Sequence, residues 1–160
     1  MGLIMKKLGL VVVGVLSVSA CSGEAEVVEA PVEGVVEGMA VENPRLVLAP
    51  VSGNPAAVYF DLAYDGERAL SLYDAEVEGA GDTTLHQFGE YDFKVQMMEA
   101  LPIALTKGTK VEFKPGDYHV MATEVSPDLE AGGTAEVTLK LSGEGTHKFD
   151  AEIRAAGDER

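Results

Sequence analysis

Cysteine is almost missing from this chain: one in 160 residues, Cys21. No disulfide can form within it, and everything after Cys21 must do its chemistry without a thiolate. Tryptophan is absent, and tyrosine and phenylalanine contribute five residues each. Basic residues are scarce: twelve Lys and Arg stand against twenty-seven Asp and Glu, a formal charge of −15 that becomes −17 without Lys6 and Lys7. Such a balance excludes nucleic-acid phosphate and anionic lipid headgroups as binding surfaces, and it favours cations. Long apolar runs are missing too. The one candidate, Leu8 to Val18, has eleven residues, whereas a bilayer-spanning helix needs about 20. No segment repeats internally, and none keeps a 3.6-residue period beyond a single turn expected around Met97 to Leu101.

What is present begins with a leader. Lys6 and Lys7 precede the apolar run, which ends in small residues, the pattern of a secretory signal over residues 1–20. Val18-Ser19-Ala20-Cys21 resembles the lipobox of bacterial lipoproteins. That resemblance implies a lipidated Cys21 as the mature N-terminus and a membrane-anchored protein on the periplasmic side. Ser22 in place of aspartate would, by the sorting rule of enteric bacteria, favour the outer membrane. Residues 22–43 carry six glutamates, no aromatic residue and no basic one, so residues 21–43 read as anchor plus flexible tether.

From Pro44 the texture becomes that of strands. Val58, Phe60, Leu62 and Tyr64 would share one face, because side chains alternate along a strand. Ala69 to Val77, Thr83 to Phe88, Lys110 to Lys114 and Tyr118 to Val125 follow, separated by turn signals such as Asp65-Gly66 and Pro115-Gly116. Ala135, Val137, Leu139 and Leu141 form another apolar face, then Phe149, Ala151 and Ile153. Seven to nine short strands with turns every 8–12 residues predict an all-β domain over residues 44–154, an antiparallel Greek-key sandwich or barrel. Residues 155–160 are expected to be a disordered tail.

Four methionines lie beyond the leader: Met39, Met97, Met98 and Met121. Filler methionine would be scattered through a core, yet three of these four fall among two of the three histidines, in the order His86, Met97, Met98, His119, Met121. His119 and Met121 stand at i and i+2 of a strand and so project from one face. Thioether sulfur is soft and uncharged, which favours Cu(I) over zinc, calcium or magnesium. A blue-copper electron-transfer site would need a cysteine beside the metal, and none is available. His147, in a glycine-rich stretch, reads as exposed polar filler. Nothing pairs a nucleophile with an oriented base, so an enzyme is not expected.

The spacing His-x10-Met-x21-His-x-Met, with Tyr118 before the second histidine and Lys114-Pro115-Gly116 upstream, resembles the periplasmic PCu(A)C family of copper chaperones. The resemblance implies a cupredoxin-like β-sandwich and one Cu(I) held by His86, Met97, His119 and Met121. It also implies a copper-accepting partner, cytochrome c oxidase subunit II or its assembly factors at the CuA centre; the chain itself is expected to be a monomer. Many family members carry methionine after the first histidine, where this chain has Gln87. Gln87, Met98 and Tyr118 are expected beside the metal rather than on it. Two other readings stand next to this one: copper scavenging or tolerance, and a metal-free structural or adhesive sandwich lipoprotein.

Overall fold

The computed structural model describes residues 34–143 and 145–158. The signal segment, Cys21 and the tether as far as residue 33 lie outside the described residues. Ten strands and no helix are present among the described residues: β1 Met39–Val47, β2 Ala56–Tyr64, β3 Leu70–Val77, β4 Asp82–Tyr91, β5 Lys94–Glu99, β6 Ile103–Leu105, β7 Thr109–Phe113, β8 His119–Thr123, β9 Thr134–Leu141 and β10 Gly145–Arg154.

Every strand predicted from alternation is found, and the alternation gives the faces. Along β2 the residues Val58, Phe60, Leu62 and Tyr64 are buried while their neighbours are half-exposed; along β9 the buried set is Ala135, Val137, Leu139 and Leu141. These two faces meet in one core, where the Phe60 ring stacks on Phe113 at 4.1 Å between centroids and tilts against Phe149 at 5.1 Å. The hydrogen-bonded order is β5-β4-β8-β2-β1-β10-β9-β3-β6, with β7 also on β2. All pairs are antiparallel except β1 with β10. The long β2 is shared end to end: Ala56 to Val58 pair with β8, and Phe60 to Tyr64 pair with β7. Coiled right-handedly, as strands must be, this path folds over on itself as a cupredoxin-like β-sandwich.

Three expectations need correction. The folded domain starts before Pro44, because β1 begins at buried Met39. The glutamate-rich, aromatic-free composition of residues 22–43 suggested a tether up to that point. Instead the strand passes through a bulge between Glu42 and Arg45, where Asn43 takes a left-handed conformation (φ 52°) and donates to Asp61 Oδ2 at 2.9 Å. Residues 34–38 belong to the domain as well: Lys148 N–H donates to the Gly34 carbonyl at 2.7 Å. Second, no helical turn forms at Met97 to Leu101: Met97 to Glu99 end the strand β5, the outer arm of a hairpin with β4. The hairpin closes at Asp92-Phe93, both at positive φ (51° and 59°), a two-residue primed turn built without the usual glycine. Third, His147 is buried rather than exposed. Its Nδ1 accepts the Val36 N–H at 3.2 Å and so ties the segment before β1 onto β10.

At the other end, β10 stops at Arg154. Residues 155–158 form a turn closed by the Asp158 N–H on the Ala155 carbonyl at 3.2 Å.

A candidate soft-metal centre on the outer face

Strand alternation builds the site from β4, β5 and β8. Leu85, Val120 and Ala122 are fully packed in the core; the residues between them must therefore point away from it. In register, His86 lies opposite His119, Thr84 opposite Met121, and Phe88 opposite Met97. Opposed residues of an antiparallel pair project on the same side, with Cβ atoms about 5 Å apart. His86, Phe88, Met97, His119 and Met121 thus share one outer face, on three adjacent strands.

The side chains converge unevenly. Between His119 Nε2 and Met97 Sδ the distance is 3.1 Å. His119 Nδ1 lies 3.0 Å from the backbone carbonyl of Asp117. A carbonyl can only accept, so Nδ1 carries the proton and the Nε2 lone pair is left facing the sulfur. Two lone pairs at that separation, with no hydrogen between them, are placed as two ligands of one cation would be. The His86 ring stands edge-on to His119 with centroids 5.7 Å apart. Its Nδ1 is buried and has no hydrogen-bond partner among the described residues, an arrangement that normally costs about 1–3 kcal/mol and is relieved if the lone pair meets a metal. Burial, and after it the charge on His119, lowers the His86 pKa below the ordinary histidine value, with Glu99 pulling the other way. Met121 follows His119 by two residues, about 6.6 Å along the strand, half-buried between Thr84 and Ala57.

Among the described residues no three His, Cys, Asp or Glu side chains cluster as a metal site would need. A metal held here has to use thioether sulfur, which restricts the choice to soft ions.

The residues expected to flank the metal are elsewhere. Gln87 and Met98 oppose one another on the other face of the hairpin. Met98 lies over Gly89, where a Cβ would come within 2.9 Å of its Cε methyl. Tyr118 points inward and packs 5.9 Å from Phe113. The true surroundings of His119 are the rings of Phe88 at 5.7 Å and Tyr59 at 6.3 Å, with the Arg45 guanidinium over Tyr59 at 5.2 Å. Phe88 was accessible to sequence reasoning, since it stands two residues beyond His86 in a strand. The Asp117 carbonyl was not, because a backbone acceptor leaves no mark in a sequence.

Residues 39–153 match the model of the LpqE-like lipoprotein family. No curated protein sequence gives a significant match. Among solved structures, the apo PCuAC domain from PmoF1 is similar at 29% identity, with 75% of this chain and 96% of that one covered and a TM-score of 0.61. The copper-bound PCuAC domain from PmoF2 is similar at 24% identity, with 76% and 96% covered and a TM-score of 0.60. The Cu(I) form of DR1885 from Deinococcus radiodurans is similar at 21% identity, with 87% and 89% covered and a TM-score of 0.56. These likenesses bear out the sandwich and the resemblance stated from the motif.

Proposed function

The chain belongs to the LpqE-like family, and from that premise we propose that it is an extracytoplasmic, lipid-anchored carrier of Cu(I). The observation that carries the reading is the 3.1 Å approach of His119 Nε2 to Met97 Sδ, with Nδ1 engaged on the Asp117 carbonyl. His86 and Met121 complete the proposed ligand set from the same face. Likeness to a PCuAC domain with copper bound and to the Cu(I) form of DR1885 supports the choice of metal.

A carrier must release what it holds, and the exposures supply an order of release. Met97 is 42% exposed and His119 is 5% exposed. An incoming soft ligand meets Met97 first and replaces its weak thioether. Met121 and His86, both half-buried, follow, and His119 lets go last. The absence of thiolate from the set keeps each replacement shallow. Moving the ion needs no proton relay or nucleophile, so the role is carriage rather than catalysis.

Anaerobic competition against a chromophoric Cu(I) chelator tests the reading. One Cu(I) per chain is expected, with affinity collapsing in the His119→Ala, Met121→Ala double variant. Undiminished binding in that variant would sink the assignment. For the acceptor, the family resemblance points to the CuA centre of cytochrome c oxidase or its assembly factors. A deletion strain is therefore expected to lose oxidase CuA content while its tolerance of added copper is unchanged. The reverse pattern would identify a scavenging role.

A further inference from the structure

We propose that Phe88 makes this site selective for Cu(I) over Cu(II), by keeping water from the His119 side of the His119–Met97 pair. The inference rests on the copper reading above and deepens it by naming what sets the oxidation state.

His119 belongs to the outer face of the sheet, where side chains are ordinarily wet, yet it is only 5% exposed. Its cover comes from the same face: Met97, His86, Tyr59 and Phe88 all lie against it. Of these, Phe88 stands opposite Met97 in the β4–β5 register. Its ring is inclined by 34° to the His119 ring, at 5.7 Å. Phe88 therefore stands beside His119 and faces Met97 across the β4–β5 ladder.

Core packing does not explain this phenylalanine. It is 41% exposed and lies on the face opposite Leu85, which is buried. A polar residue would be the ordinary choice at such a position in an edge hairpin. An apolar ring there leaves one side in water and uses the other to keep water from what lies beneath. That distinction matters for copper. Cu(II) seeks a tetragonal shell of nitrogen and oxygen donors, whereas soft thioether and imidazole ligands suffice for Cu(I). With two imidazoles and two thioethers on the protein, solvent oxygen would have to enter to satisfy Cu(II). Phe88 lies over His119, on the side from which that oxygen would approach the imidazole.

The test compares wild type with Phe88→Ala and Phe88→Leu, measuring Cu(I) affinity anaerobically against a chromophoric chelator and Cu(II) affinity against glycine. Circular dichroism melts verify the fold. For Phe88→Ala, the ratio of Cu(II) to Cu(I) affinity is expected to rise about tenfold or more. Phe88→Leu, which keeps an apolar bulk, should stay within about threefold of wild type. An unchanged ratio in a folded Phe88→Ala variant would overturn this shielding while leaving the copper reading intact. A leucine variant as altered as the alanine one would also overturn it, in favour of direct contact between ring face and metal. Failure of the wild-type protein to take up Cu(I) would remove the copper reading and this inference together.

Discussion

Two histidines show how little a residue's type says about its role until its hydrogen bonds are known. His119 and His147 are both buried strand residues with one ring nitrogen engaged by the backbone, but the partners differ. His119 donates its Nδ1–H to the Asp117 carbonyl, which leaves the lone pair on the opposite nitrogen; His147 Nδ1 accepts the Val36 N–H. Burial lowers the His147 pKa, so this ring holds its proton less readily folded than unfolded. Stability should be complete above the unfolded histidine value, about 6.5. It should decline as pH falls below that value, since the unfolded chain then binds the extra proton. His147→Gln, which keeps an acceptor for Val36, is expected to remove part of the decline in melts between pH 7 and 5; an unchanged profile would show that other groups cause it. At the metal, Met97→Leu conserves volume while deleting the sulfur, and Cu(I) affinity should fall with the melting temperature unchanged. Affinity should also weaken as pH drops, because imidazole must be neutral to ligate. The lowered pKa of His86 places its proton competition below the ordinary range. Ring-proton NMR of the apoprotein should show His86 titrating beneath 6.5, and a value above it would contradict the burial argument.

At the scale of elements, the β4–β5 hairpin carries two of the proposed ligands, His86 and Met97, on a turn of poor local chemistry. Its turn places Phe93 at φ 59°, a conformation bulky residues enter at a cost of about 1–2 kcal/mol. Phe93 is 93% exposed and recovers little of that cost by packing. Phe93→Gly, giving the Asp-Gly pair that such turns prefer, should raise stability by about 1 kcal/mol; a lower melting temperature would mean that Phe93 packs in solution. β1 gives a complementary lesson. Its bulge at Asn43-Pro44 carries a proline through a paired strand, so the acidic composition before Pro44 did not mark the domain boundary.

For the whole molecule, the lipidation proposed at Cys21 is what would determine where the sandwich works. Cys21→Ser should move the protein from the membrane pellet to the soluble periplasmic fraction, and unchanged fractionation would show that lipidation is not the anchor. Loading the folded state with Cu(I) should raise the melting temperature by mass action, by about 4 kcal/mol of stability at a thousandfold excess over Kd.

Alternation in β2, β9 and β10 was legible because a strand with one buried face writes its period directly into the residue types. That His119 and Met121 share one face was legible for the same reason, since they stand at i and i+2 of a strand. Thus the all-β class followed from the residue pattern, while the proposed ligand set came from the family resemblance. Only tertiary structure decided which ring nitrogen of His119 is free, that His147 is buried, and that Phe88 rather than Gln87, Met98 or Tyr118 stands beside the pair. Those outcomes depend on which strands lie side by side and on backbone carbonyls and N–H groups that every residue possesses, so residue types carry no sign of them. The same four ligand candidates could have been written into a chain that never paired β4 with β8; that pairing is what turns their spacing into a site.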